Sequence, residues 1–198
     1  MNWYERTILP RFLNSAMSRA EFTKIRPKVI EQATGTVLEI GAGAGHNLPF
    51  YKNVSKVFAL EPSEKLIAIA KKQNCSIPVE FLNTGAEQIP LADNSVDTVV
   101  STWTLCSVKD PKTVLKEIRR VLRPGGKFVF IDHGASPNFL IRIVQSAFTP
   151  LTKHFTGNCH LDRNIEELVK NAGFNVANIA HSRERFRPLI YNYQGTVD

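Results

Sequence analysis

The sequence predicts one α/β domain built on a mostly parallel sheet with helices on both faces. Three observations carry that expectation. The 198 residues, 43% of them hydrophobic, are enough for one core and too few for two comfortable ones. Short apolar runs alternate along the chain with segments whose apolar residues recur at helical spacing. The runs are continuously apolar, as strands covered on both faces require.

The elements follow in order. After Pro10, the residues Phe12, Leu13, Ala16, Met17 and Ala20 recur at helical spacing, and Pro27 is placed to open a further short helix. Then come strand Thr36 to Ile40, helix Leu48 to Tyr51, strand Lys56 to Leu60, helix Ser63 to Lys72 and strand Val79 to Asn83. A loop through Pro90 leads to strand Val96 to Thr102, helix Pro111 to Leu122, a turn at Pro124-Gly125-Gly126 and strand Lys127 to Asp132. The last part is less regular. It holds a helical stretch from Asn138 to Phe155, helix Asn164 to Ala172 closed by Gly173, and strands Asn175 to Ala180 and Pro188 to Gln194. The short connection between these two strands suits antiparallel pairing. No repeat, low-complexity run or long linker marks a boundary, so residues 1–198 read as a single domain.

Composition narrows the class. No stretch approaches the roughly 18 uninterrupted apolar residues of a membrane helix, and Met1-Asn2-Trp3-Tyr4-Glu5-Arg6 lacks the charged-then-apolar order of a secretory signal. A cytoplasmic protein is expected. Cys75, Cys106 and Cys159 are scattered and odd in number, which suits reduced thiols better than a disulfide framework or a CxxC site. No structural metal is expected from that spacing. The net charge of +7 and pI near 9.5 fit nucleic acid, anionic lipid, an acidic small molecule or simply a solvated surface. Basic residues gather near the start (Arg6, Arg11, Arg19, Lys24, Arg26, Lys28) and near the end (Arg183, Arg185, Arg187).

The segment Val37-Leu38-Glu39-Ile40-Gly41-Ala42-Gly43-Ala44-Gly45 is an apolar strand ending in a glycine-rich turn. Missing β-carbons let backbone approach a nucleotide-type cofactor. A dinucleotide fingerprint would need glycine where His46 stands, and a carboxylate at Glu39 would repel a pyrophosphate. NAD is therefore disfavoured. The same carboxylate suits a ligand with an ammonium group and no phosphate, which describes the methionine end of S-adenosylmethionine. Glu61, about 20 residues beyond Gly41, ends the second strand, where a carboxylate can accept both ribose hydroxyls. Beside Pro62 and Ser63 it could equally start the next helix. Ala86-Glu87, after the third strand, lies where an adenine edge would be read.

These residues resemble a known family. EIGAGAG at 39–45, ALEPS at 59–63, GAEQIPLADNSVDTVV at 85–100 and LRPGG at 122–126 together resemble class I methyltransferases of the UbiE and methyltransferase type 11 group. TLCSVKDP at 104–111, IDHG at 131–134 and GNCHLDRNIEEL at 157–168 are similar to a subgroup that includes the mammalian membrane-associated thiol methyltransferases. The resemblance implies a Rossmann-like seven-stranded sheet, mostly parallel with an antiparallel last strand. It also implies an N-terminal helical cap (residues 1–34) over a core of residues 35–198. It implies S-adenosylmethionine contacts from Glu39, Gly41, Ala42, Gly43, Asn47, Glu61, Pro62, Ala86, Glu87 and Thr102. The mammalian enzymes begin with a membrane anchor that this chain lacks, so their substrate transfers less securely than their fold.

The sulfonium already activates the methyl group, so the protein must mainly hold a nucleophile in line with it and exclude water. A thiol acceptor, with a reference pKa near 8.5, needs only a modest depression to react, whereas a hydroxyl needs a real base. Polar candidates at the carboxyl ends of strands are Thr102, Cys106, Asp132 and His133, with Cys159-His160 and Arg163 as a further pocket lining. Each has a bland alternative: Cys106 as a small buried hydrophobe, His133 as a satisfied loop residue, Asp162 or Asn164 as a helix cap. The function expected is methyl transfer to a small-molecule acceptor such as a thiol.

Three other functions compete. Phospholipid amine methylation would use Trp3, Tyr4, Ile8 and Phe12 beside the early basic residues as a peripheral membrane contact. Nucleic-acid methylation fits the charge. It is disfavoured by Ser101-Thr102-Trp103-Thr104 standing where exocyclic-amine enzymes carry an Asp/Asn-Pro-Pro-aromatic motif. A cofactor-binding protein without transferase activity is the third.

Overall fold

The computed structural model describes residues 4, 7–176, 179–183 and 190–198. Two helices open it, α1 (Leu9–Met17) and α2 (Ala20–Ile30). Strands and helices then alternate: β1 (Gly35–Ile40), a 3-10 turn at Leu48–Phe50, β2 (Val54–Leu60), α3 (Glu64–Ala70), β3 (Val79–Leu82), β4 (Val96–Thr102) and α4 (Pro111–Val121). The chain ends with β5 (Leu122–Gly134), α5 (Phe139–Phe155), α6 (Ile165–Asn171), β6 (Ile179–Arg183) and β7 (Tyr191–Val197).

The strands form a seven-stranded sheet in the order β3-β2-β1-β4-β5-β7-β6. The first five pair in parallel, and β7 runs antiparallel to both β5 and β6. The strand order reverses between β1 and β4. A ligand crevice in an open α/β sheet forms at such a switch point, outside the carboxyl ends of the strands.

Continuous apolar strands arise because period-two side chains feed two cores. From β1 and β5, Leu38, Ile40, Phe128 and Phe130 join Val114, Leu115, Ile118 and Val121 of α4 and Ile165 and Val169 of α6. Their neighbours Val37, Val129 and Ile131 face the other way, onto Phe22, Val29 and Ile30 of α2 and onto Leu48, Tyr51 and Ala70. Each fully buried side chain of this size contributes about 1.5–3 kcal/mol. Local signals start the helices. Asp110 accepts from Lys112 N and Thr113 N with Pro111 in the first turn, Ser63 accepts from Leu66 N, and Asn138 accepts from Leu140 N and Ile141 N.

Several sequence expectations need correction. Pro27 lies inside α2 instead of opening a helix. The bond it cannot donate is outweighed by the burial of Phe22, Arg26, Val29 and Ile30 on the same helix. The expected helix at Leu48 to Tyr51 is a single 3-10 turn. Pro124-Gly125-Gly126 lies within the long β5, whose register jumps from Val96↔Leu122 to Thr98↔Lys127, so these residues bulge outward. The stretch after Asn138 is a regular 17-residue helix despite Pro150. The last two strands start later in the chain than expected, and the parts of those expectations on residues 177–178 and 184–189 lie outside the described residues. So do Trp3, Arg6, Arg185 and Arg187. Among the described residues, no helix is long and apolar enough to cross a membrane.

Candidate active site at the carboxyl edge of the sheet

The loop after β1 turns through Gly41, Gly43 and Gly45, all with φ between 57° and 75°. Two of them serve different ends. A β-carbon on Gly41 would collide with the Thr104 side chain, whereas one on Gly43 would meet nothing nearer than 3.8 Å, leaving open space beside the backbone. Glu61, at the end of β2, accepts from Gly43 N at 3.0 Å and from Ser63 N at 2.9 Å. It therefore ties the glycine loop to the start of α3, and each oxygen retains a lone pair for a further donor. Burial raises its pKa, opposed by these two bonds. Ala42 is anchored through its N–H to Leu60 O, Pro62 is exposed, Ala86 packs in the core, and Glu87 is half-buried.

Glu39 is 1% exposed, and both of its oxygens are engaged. Asn47 Nδ2 donates to Oε1 at 2.7 Å and Tyr51 Oη donates to Oε2 at 2.9 Å. Asn47 also donates to Thr102 Oγ1 at 3.0 Å and accepts from Arg26 Nη1 at 2.7 Å. Glu39 thus holds Asn47 directly and Thr102 through it, and each of its oxygens retains a lone pair. Burial pushes its pKa up to about 7 against the Asn47 and Tyr51 bonds and the Arg26 charge. Arg26 comes from the helical cap. Its guanidinium lies 5.0 Å from the centre of the Trp103 ring, and Phe22 meets the same ring edge-on at 4.8 Å.

Beyond Thr102 the chain turns sharply through Trp103, whose φ of 53° is a strained value for a bulky residue. Asp132 explains how the turn is held. Its fully buried carboxylate accepts from Thr104 N, Leu105 N, Cys106 N and His133 N at 2.7–3.1 Å. Burial raises its pKa, against the Cys106 side chain and N–H, the His133 charge and the Leu105 N–H, which lower it. Expected from sequence as a catalytic candidate, Asp132 accepts from four backbone N–H groups and so shapes this loop.

The loop after α5 brings Cys159 to this end. Cys159 Sγ lies 3.5 Å from Cys106 Sγ and 3.7 Å from His133 Nδ1. The hydrogen bond with Cys106, reinforced by His133 and the Arg163 guanidinium, lowers the Cys159 pKa to about 5 against its burial. Cys106 goes the other way, raised by its bond to Cys159, by burial and by Asp132. Arg163 Nη1 donates to the carbonyls of Leu105 and Val108, fixing the loop around Cys106. His160 stays outside this cluster. Its backbone N–H donates to Cys106 O at 2.9 Å, while its ring, 4.0 Å from Asp162, has its pKa lowered by burial and by Arg163.

The structure therefore gathers two groups at the carboxyl edge of the sheet. Glu39, Gly41, Gly43, Asn47, Glu61 and Thr102 form one, and Cys106, His133 and Cys159 the other. Sequence reasoning missed Arg26, Tyr51 and Trp103. Tyr51 alone left a signal, standing one helical turn beyond Asn47. Helix α2 shows no pattern marking Arg26 as inward-facing.

Comparisons with known proteins agree with this geometry. A methyltransferase domain is matched over residues 38–130. The human thiol S-methyltransferase TMT1B is 36% identical over 162 residues, covering 79% of this chain and 66% of that enzyme. A phosphatidylethanolamine N-methyltransferase from Cereibacter sphaeroides is 30% identical over 146 residues, covering 72% of this chain and 71% of that protein. This chain belongs to the methyltransferase-domain family. A methyltransferase of known structure from Thermotoga maritima superposes on it with a TM-score of 0.67 at 23% identity, covering 96% of this chain and 99% of that one. Its fold is the class I, Rossmann-like one. The match spans about two thirds of the human enzyme's length.

The cofactor of this methyltransferase family is S-adenosylmethionine, and the residues present fit it. Gly43 leaves room for a ligand against the backbone. Glu61 presents a carboxylate with spare acceptor capacity at the end of β2. The loop ends in His46, where a dinucleotide fingerprint needs glycine, and the buried carboxylate of Glu39 disfavours a pyrophosphate there.

Proposed function

We propose that this methyltransferase-family chain transfers the methyl group of S-adenosylmethionine to a small thiol. Bound S-adenosylmethionine supplies a methyl group already activated by its sulfonium. Glu61 accepts from the ribose hydroxyls, the backbone at Gly41, Ala42 and Gly43 lies along the ligand beside Pro62, and Ala86-Glu87 borders the adenine. Asn47 and Thr102, held by Glu39, face the methionine end. Arg26 and Phe22 close over Trp103 and exclude water from the reacting centre.

One observation carries the acceptor reading. The loops after β4, β5 and α5 bring sulfur and imidazole groups from Cys106, Cys159 and His133 together beside apolar Leu161 and Ile190. The nearby carboxylate of Asp132 is withdrawn into backbone bonds. Sulfur groups and one imidazole suit a thiol, which needs only modest help, better than a hydroxyl, which needs a base aimed at it. Likeness to the human thiol enzyme supports the same reading. The test is a screen that follows S-adenosylhomocysteine release with small thiols, amines, phenols and phospholipid vesicles. Turnover rising with pH to a plateau set by the bound thiol's apparent pKa, reached earlier by a more acidic thiol, is expected. Efficient turnover of amines with a varied set of thiols untouched overturns it.

A second reading, methylation of a phospholipid amine, is favoured by one surface. Helix α5 exposes Phe139, Leu140, Ile143, Val144, Phe148, Leu151 and Phe155, carries Arg142 and Lys153, and has no acidic residue. Tyr4 Oη donates to Phe155 O, placing the start of the cap, with exposed Ile8 and Phe12, beside that face. Peripheral membrane contact by a cytoplasmic protein is our reading of this surface, and the vesicle arm of the same screen tests it.

A further inference from the structure

The Cys106, His133 and Cys159 cluster has a geometry that its role as a pocket lining does not require. Among the described residues it is the group of His, Cys, Asp or Glu side chains able to hold an ion, with its ligand atoms all within 4.8 Å of one another. Zinc bonds of about 2.3 Å to sulfur and about 2.0–2.1 Å to nitrogen put the corners of a tetrahedron roughly 3.5–3.8 Å apart. The observed Cys106 Sγ to Cys159 Sγ distance is 3.5 Å, and Cys159 Sγ to His133 Nδ1 is 3.7 Å. Two edges of that tetrahedron are already in place.

The surroundings are those of a built ligand set. Asp132 accepts from both Cys106 N and His133 N, so one buried carboxylate positions the backbone of two of the three ligands. Arg163 holds the carbonyls on either side of Cys106, and His160 N holds the Cys106 carbonyl, so the third ligand's loop is locked to the first. Outer groups of this kind fix ligand orientation at metal centres. Two thiols with one imidazole select a thiophilic ion of the zinc class over magnesium or calcium, which take oxygen.

We propose that Cys106, His133 and Cys159 bind one zinc-class divalent ion, leaving its fourth position open to the acceptor. Three protein ligands with one open position is the pattern of catalytic zinc, as opposed to the closed four-ligand structural sites. The role of the open position rests on the thiol reading above. There the acceptor's S–H proton leaves to solvent as its sulfur binds the ion as a thiolate. That sulfur's electron pair then forms the new S–CH3 bond, while the methyl–sulfonium C–S bond breaks and its pair stays on the departing thioether. The ion makes the thiolate available at neutral pH, so His133 serves as a ligand and no protein base is needed.

The experiment uses the full chain, purified with a phosphine reductant in place of a thiol, stripped with a chelator and titrated with Co2+. One equivalent is expected to bind, giving visible bands of tetrahedral intensity and a near-ultraviolet sulfur-to-cobalt charge transfer. Cys159→Ser and His133→Ala should each weaken binding by at least about 100-fold, with circular dichroism confirming a folded chain. Cys75→Ala should leave binding unchanged. Adding a small thiol should shift the cobalt spectrum, and adding a primary amine should not. Failure of the folded wild-type chain to bind Co2+ or Zn2+ overturns the site, as does binding that Cys159→Ser leaves intact. Full-rate thiol methylation by chain verified to be metal-free overturns the open position while the thiol reading stands. Stoichiometric binding with no thiol turned over sinks the thiol reading and leaves the metal site standing.

Discussion

In the half of the site proposed to hold the cofactor, Glu39 reaches Asn47 across 8 residues and Glu61 reaches Gly43 across 18. In the half proposed to hold the acceptor, Asp132 reaches back 26 residues to Cys106, and Cys106 meets Cys159 across 53. The first half is closed largely by β1, β2 and the connection between them, the second by three separate carboxyl-edge segments that must arrive together. A locally closed site can keep its shape when distant parts loosen, because its loop-closure entropy is small. A site assembled from distant segments depends on every anchor, and here the anchors are Asp132 and Arg163.

Breaking the acceptor half at its anchor should have the largest effect. Asp132→Ala leaves four buried N–H groups without their charged acceptor, and a loss of about 4 kcal/mol in urea-unfolding stability is expected. A change below about 1 kcal/mol would show that the loop after β4 is held by packing alone. The matching cut in the cofactor half is Glu61→Ala. It should weaken S-adenosylmethionine binding by about 2–4 kcal/mol in calorimetry, as hydrogen bonds to a charged acceptor vanish. NAD should bind far more weakly than S-adenosylmethionine to the wild-type chain. Unchanged cofactor affinity in folded Glu61→Ala would return Glu61 to a purely structural start of α3.

Glu39 sharpens the comparison through pH. Its folded pKa, raised to about 7, lies above the ordinary glutamate value near 4.3. The protonated form is thus favoured by folding. The stability this gives is full below about pH 4.3 and is lost as pH rises through about 7. Urea midpoints should therefore fall between pH 5 and pH 8, and Glu39→Gln should flatten that slope. An identical slope in the variant would assign it to other groups.

The cap should respond to the cofactor half. Cleavage by a protease within roughly the first 25 residues is expected to slow when S-adenosylmethionine is added, because Arg26 and Phe22 dock on the loops that the cofactor orders. Equal cleavage with and without cofactor would leave the cap independent of the site. The smallest effect on stability belongs to the exposed face of α5. Phe148→Glu should change it by less than about 0.5 kcal/mol while reducing cosedimentation with anionic vesicles.

The parallel sheet was legible because its causes are local. Apolar runs, the Asp110 and Ser63 caps, and a glycine turn following a strand each act within a few residues. The positions of β6 and β7 were not, since short polar strands take their register from their partners, as Tyr191 and Gly195 of β7 do opposite Gly134 and Phe130 of β5. Pro27 was misread for a related reason: propensity is worth a few kcal/mol, and the burial of neighbouring residues on α2 exceeds it.

By itself, the sequence determined where the glycine loop lies and that Glu61 follows β2, and it led to the expectation that phosphate-bearing dinucleotides are disfavoured, because these follow from residue types at fixed short spacing. It also led to the expectation of no structural metal, since three scattered cysteines offer no linear ligand pattern. Only the tertiary structure decided that Cys106 and Cys159 meet beside His133, that Asp132 accepts from four backbone N–H groups, and that Arg26 reaches Asn47 from the cap. Such contacts exist only once β4, β5 and the loop after α5 share one edge of the sheet, and no local rule encodes which distant side chains that edge will bring within 4 Å.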